Sequence, residues 1–325
     1  MSDWLDALTA AWDALAHEAP KSREFRSRLV APDAPLAIRA GMRAADGAPC
    51  LMLPAVPVPD ALFELGGMRL SPIRDDAGPF LVLSLEDGTR RDLFSTICAD
   101  VISAAAAAET GAELGQFLAR LDAWRQFLRD RRDGFSKPET IGLIGELLVL
   151  ERILAAENHG LPLWQSPNDG LHDFLRGGHA LEVKTGVGPS PVITISALDQ
   201  LDTAGLRALD LLHVRLIEEP RGRCLRDLIE AVAGTLPDDA VRRSFENALL
   251  RRGLMPDDDA ARSAPRVQLR SIDAYTVSDT FPRLTRAALP VAITDATYKL
   301  EVRALTAFSA DLDPVLEAFI QGGQP

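Results

Sequence analysis

The sequence predicts an α/β fold, a mixed central sheet flanked by helices, with an α+β segment before it and an extension after it. The 325 residues are 47% apolar and 25% charged. That composition can bury a core and is too apolar for a mainly disordered chain. At roughly 100–200 residues per domain, the length allows two domains. Helical and strand-like hydrophobic patterns interleave throughout.

Taken in order, Trp4, Leu5, Leu8, Trp12 and Leu15 recur at helical spacing, so residues 3–17 read as an amphipathic helix. Proline-punctuated strands are expected at 36–38 and 51–53, and another at 80–85. Glu86-Asp87-Gly88-Thr89 reads as a hairpin turn, because Asp-Gly tolerates positive φ. Helices are expected at 93–108 and 113–129. The charged run from Arg129 to Phe135 then marks a junction, which divides the chain into 1–130 and 131–325. Ser136 and Glu139 have capping-box spacing, and Pro138 fits a first helical turn. A helix should therefore run to about Asn158, with Gly160 past its end. Strands follow at 171–175 and 179–185, joined by Arg176-Gly177-Gly178, with a third at 192–195. Ser196 is placed to cap a helix over 197–209, and a fourth strand spans 211–217. Helices at 224–236 and 239–252, strands at 267–277 and 298–305, and a helix from Asp313 complete the chain. The acidic stretches at 237–239 and 256–259 read as loops.

Composition excludes several functions. Thirty-five basic residues against 47 acidic ones give a net charge of −12, which argues against coating nucleic acid through bulk charge. Cys50, Cys98 and Cys224 lie far apart with no C-x-x-C pair, so neither a disulfide framework nor a zinc ribbon is supported. The acidic start and the lack of any long apolar run predict a cytoplasmic protein with no membrane contact. Gly186-Val-Gly188 is a lone G-x-G, and no P-loop, H-E-x-x-H or G-x-S-x-G motif occurs.

Candidate chemistry concentrates in Glu146, Asp173, Glu182 and Lys184. Alternate strand residues share a face, so Leu181 and Val183 point toward a core while Glu182 and Lys184 point the other way together. That tripeptide is weak alone: 47 acids and 4 lysines give about 0.6 chance matches to acid-x-Lys. Asp173 lies on the preceding strand of the expected hairpin, where it could share a cation with Glu182; a solvated hairpin acid is the alternative. Glu146 is the single charge in Ile141-Gly-Leu-Ile-Gly-Glu-Leu-Leu-Val-Leu. A helix this apolar is buried nearly all round, so its carboxylate needs a metal, a cation or a pocket. A core glutamate paired with an arginine satisfies the same need.

Gly142-Leu-Ile-Gly-Glu-Leu-Leu, Trp164, His172-Asp-Phe, Leu181-Glu-Val-Lys-Thr and Ile195-Ser-Ala-Leu-Asp-Gln-Leu occur in this order. Phe281-Pro-Arg-Leu-Thr-Arg and Tyr298 follow. The set resembles the bacterial PD-(D/E)XK motif family first catalogued as a domain of unknown function, within the restriction-endonuclease-like nuclease superfamily. Its namesake proline is His172 here. The resemblance implies a restriction-endonuclease-like core with its catalytic part at 138–218 and a nuclease-like domain over 131–325. It implies Asp173, Glu182, Glu146 and Val183 as ligands of Mg²⁺, with Mn²⁺ as a substitute. Lys184 would orient the attacking water, and Gln200 would sit at a substrate-facing position, with an exposed helix glutamine as its alternative. DNA is the implied partner, with other proteins of a bacterial anti-phage or restriction operon, and 1–130 is a candidate partner or sensor module. A catalytically inactive nucleic-acid-binding or scaffold subunit is the competing expectation.

Two arginine groups could face nucleic acid: Arg242, Arg243, Arg251 and Arg252, and Arg120, Arg125, Arg129, Arg131 and Arg132. Both are interleaved with acids, so solvated faces are the favoured reading. His172 and His179 are read as hairpin-surface residues.

Overall fold

The structure, a computed structural model, describes residues 2–18, 24–30, 36–54, 63–75, 78–130, 135–256 and 258–322. The chain divides into two compact units, Met1–Arg132 and Asp133–Pro325. Among the described residues no helix is long and apolar enough to cross a membrane. Arg131, Arg132 and most of the charged junction lie outside the described residues.

The first unit opens with α1 (Ser2–Ala16), whose Leu8, Trp12 and Leu15 are buried as their spacing requires. Six strands follow: β1 (Phe25–Leu29), β2 (Arg39–Arg43), β3 (Pro49–Pro54), β4 (Phe63–Leu65), β5 (Met68–Asp75) and β6 (Gly78–Leu85). They form one antiparallel sheet in the order β1-β2-β3-β6-β5-β4. β1 reads Phe-Arg-Ser-Arg-Leu and β5 contains Pro72, so neither carried a strand signal; pairing with neighbours made them strands. The strand expected at 36–38 begins at Arg39 instead. Residues 86–89 are not a hairpin turn. Asp87 accepts the Thr89 N–H at 3.0 Å and starts a 3₁₀ turn that leads into α2 (Arg91–Ala106). Asp-Gly suits both a turn and a cap, and here the Asp87 side chain caps. α3 (Glu113–Asp130) completes the unit, and Arg120 on it is buried against Asp100 rather than solvated.

The second unit opens with α4 (Lys137–Ala156), started by the anticipated capping box. The Ser136 hydroxyl accepts the Glu139 N–H, and the Glu139 carboxylate accepts the Ser136 N–H at 2.7 Å. After two 3₁₀ turns come β7 (Phe174–Arg176) and β8 (His179–Val187). Gly177 and Gly178 join them at φ 53° and 82°, the left-handed pair a two-residue hairpin turn requires. β9 (Val192–Ile195) follows.

The helix expected over 197–209 does not form. A single 3₁₀ turn spans Leu198–Leu201, and Gly205 turns the chain at φ 78°. β10 (Ala208–Arg223) then begins earlier and runs longer than expected. Parallel pairing to β8 on one side and antiparallel pairing to β11 on the other overrode the local pattern. Ser196 does not cap a helix: its N–H and hydroxyl both donate to the Gln200 side-chain oxygen, at 2.9 and 3.0 Å.

α5 (Leu225–Thr235), α6 (Asp239–Arg251) and α7 (Asp259–Ser263) follow, then β11 (Val267–Thr276). α7 replaces the end of an expected acidic loop, with the Asp258 carboxylate capping it at the Ala261 N–H. The strand expected at 298–305 is β12 (Tyr298–Glu301) followed by a 3₁₀ stretch, Val302–Phe308. β13 (Ser309–Ala310) and α8 (Leu312–Gln321) close the chain.

The central sheet of this unit has the order β13-β11-β10-β8-β7, while β9 pairs separately with β12. With one parallel pair among antiparallel ones, it is a mixed sheet flanked by helices. Its two faces bury two apolar clusters. Leu181, Val183, Leu212 and Val214 pack against α4. Ala180, Leu209 and Leu211 pack with Ile193, Ile195 and Leu300 of the small ribbon. α4 meets β8 closely: a Cβ on Gly145 would lie 1.8 Å from the Thr185 hydroxyl, so only glycine permits this approach.

Candidate active site

Glu182 and Lys184 lie side by side on β8, on the face of Ala180 and opposite Leu181 and Val183, as their alternation predicts. Glu182 is 2% exposed. Lys184 Nζ lies 2.8 Å from its Oε1, and His172 Nδ1 lies 3.6 Å from its Oε2.

Asp173 immediately precedes β7, whose pairing with β8 goes no further than Phe174 opposite Leu181. β8 runs on past that point, so its edge is open where the short strand ends. The Asp173 Oδ2 fills the gap by accepting the Val183 N–H at 2.7 Å. The Asp173 carbonyl is held in turn by the N–H groups of Gln165 and Ser166. Glu146 reaches the same region from α4, where Trp164 Nε1 donates to its Oε2 at 2.9 Å. Arg252, at the end of α6, donates to Glu146 Oε1 through Nη2 at 2.6 Å and to Oε2 through Nε at 3.4 Å. Glu146 is thus the arginine-paired glutamate that its apolar helix allowed.

The structure brings Asp173 within electrostatic reach of both other acids. Burial, then the charges of Glu182 and Glu146, push its carboxyl well above the usual carboxylate range; the Val183 N–H and Lys184 oppose this. The Glu146 carboxylate in turn strengthens the hold of Arg252 on its proton. Among the described residues, no three histidine, cysteine or acidic side chains are arranged to hold a metal ion together. The donors nevertheless suit a hard divalent cation. They are carboxylate oxygens, and the charges of Glu182 and Glu146 add to burial in raising the Asp173 carboxyl.

A stability consequence follows. Asp173 binds its proton more tightly in the folded chain than in the unfolded one. The contribution of this group to metal-free stability is therefore complete below about pH 4, the ordinary carboxylate value, and declines as pH rises through the elevated value of Asp173. Asp173→Asn, which can still accept the Val183 N–H, is expected to flatten that decline. Urea unfolding in EDTA across a pH series measures it, and identical profiles for both proteins would contradict the crowding of charge.

Gln200 lies on the 3₁₀ turn Leu198–Leu201 instead of an α-helix, and its side-chain oxygen accepts from Ser196. His172 and His179 are buried, each 5% exposed, not on the hairpin surface. His179 Nε2 lies 2.7 Å from Asp210 Oδ2, and its ring meets Phe319 edge-on. Neither ring nitrogen of His172 has a hydrogen-bond partner among the described residues. The solvated-face reading also fails for Arg243, which is buried, and for Arg252. Sequence reasoning missed Arg252 as a partner of Glu146. The need for a cation was legible, but nothing separated Arg252 from its three neighbours. His213 was missed as well; the parallel register sets it beside Lys184.

A helix acid, an edge aspartate and a strand Glu-x-Lys around one mixed sheet define a restriction-endonuclease-like architecture. The family described as "Putative PD-(D/E)XK family member, (DUF4420)" matches residues 8–303. The chain belongs to that family. No curated protein and no solved structure gives a significant match. PD-(D/E)XK members typically use divalent metals.

Proposed function

We propose that this chain is a Mg²⁺-dependent deoxyribonuclease that hydrolyses DNA phosphodiester bonds, with Mn²⁺ able to substitute. The observation that carries the reading is Asp173: a carboxylate fixed at an open strand edge, crowded by Glu182 and Glu146, beside the one lysine of β8. Asp173 and Glu182 would hold the ion. Val183 would contribute its carbonyl, which leaves an extended strand on the same side as the N–H already turned to Asp173. Glu146 would act from the helix side. A bound divalent ion supplies a lowered water pKa and stabilises charge developing on phosphate oxygens. Lys184, 18% exposed along its side chain, can swing from Glu182 to orient the attacking water and offset transition-state charge.

On this reading the protein would act in the cytoplasm, within a multi-component bacterial anti-phage or restriction system. Residues 1–130 carry none of the motif acids and would serve as its partner or sensor module.

One observation favours a second reading, a non-catalytic nucleic-acid-binding or scaffold subunit. Glu146 and Glu182 each already have a basic partner. Incubation with supercoiled and linear DNA, in Mg²⁺ or Mn²⁺ and in EDTA, separates the two. The nuclease reading expects metal-dependent nicking together with a metal-dependent rise in melting temperature, because a ligand that binds only the folded state stabilises it. DNA binding with neither effect would establish the scaffold.

A further inference from the structure

Both oxygens of Glu146 are already bonded to fixed donors. Arg252 reaches one at 2.6 Å and the other at 3.4 Å, and Trp164 completes the second at 2.9 Å. Glu146 is 4% exposed, and the Arg252 side chain is 25% exposed. The Asp173 charge also bears on Arg252, so the guanidinium lies within reach of two of the three acids.

In two-metal phosphoryl-transfer centres, carboxylates bridge a pair of divalent ions about 3.5–4 Å apart, which clamp the attacking and leaving oxygens. Here one cation is already part of the chain. We propose that the Arg252 guanidinium is the fixed second cation of this acid cluster, so that the site takes up one divalent ion instead of two. The inference rests on the nuclease reading and specifies its metal count.

Geometry agrees. A guanidinium is a rigid planar fork that holds a carboxylate through two N–H groups, which an ammonium cannot do. Arg252 is therefore a positioning residue, and it acts through Glu146.

The test counts Mn²⁺ ions bound by the full chain, using electron paramagnetic resonance of the free ion, a readout independent of cleavage. Wild type should bind one ion, and Asp173→Asn should lose it. Arg252→Lys should bind one, whereas Arg252→Gln frees Glu146 and should admit a second, weaker ion. Two ions in wild type, or only one in folded Arg252→Gln, would overturn the assignment and leave the nuclease reading intact. Retention of the ion in Asp173→Asn would place it elsewhere and also overturn the assignment. No ion in wild type would sink the nuclease reading itself. If melting curves show Arg252→Gln unfolded, the wild-type and Arg252→Lys counts decide alone.

Discussion

Lys184→Ala is expected to lower the rate of DNA cleavage about 10²–10³-fold, the usual loss when one preorganised charge is removed from a transition state. On the proposed mechanism, Lys184 stands beside Glu182 and offers its ammonium to the attacking water. The substitution has a structural cost too. Glu182 is 2% exposed and would keep only His172, at 3.6 Å. A buried carboxylate that loses its partner costs several kcal/mol or drives its own protonation. Lys184→Arg separates the effects: it retains the positive charge and the fold but presents a broad planar group in place of a compact ammonium. Single-turnover cleavage, read beside melting curves, gives both quantities. A folded Lys184→Ala protein cutting at more than a tenth of the wild-type rate would remove Lys184 from the mechanism.

Asp100→Ala should cost the first unit about 3–5 kcal/mol, the range for breaking a buried ion pair by deleting one partner. Asp100 Oδ2 accepts from Arg120 Nε at 2.6 Å and from Trp124 Nε1 at 2.7 Å, and Oδ1 accepts from Arg120 Nη2 at 3.2 Å. Asp100 is 7% exposed, Arg120 6% and Trp124 0%. Alanine would remove the buried acceptor that a guanidinium and an indole N–H share, where water reaches poorly. Such a loss lowers a melting temperature by roughly 10–20 °C in a unit of this size. Calorimetry of the full chain checks it, and a change below about 1 kcal/mol would show that the pair is not structurally required.

Local chemistry made much of the second unit readable. The Ser136–Glu139 capping box and the Gly177-Gly178 turn act within a few residues, so both stand where the sequence put them. The opposed faces of Leu181 and Glu182 follow from the pleat alone. The failures were non-local. Residues 197–209 carry a helix-like pattern, yet β10 drew its own start back to Ala208 by pairing on both edges. Asp87-Gly88 has the chemistry of a turn and of a cap, and only the next element decided between them.

The site divides along the same line. Sequence determined that a lone acid in an apolar helix needs a counter-charge and that Glu182 and Lys184 share a face, because burial cost and strand period are properties of the local chain. Tertiary structure decided that the counter-charge at Glu146 is Arg252, 106 residues downstream, and that Asp173 closes the edge that β7 leaves open. Several arginines satisfied the electrostatic requirement equally well. Only the packing of α6 and of the 161–168 loop beside α4 selected which cation and which indole reach that carboxylate.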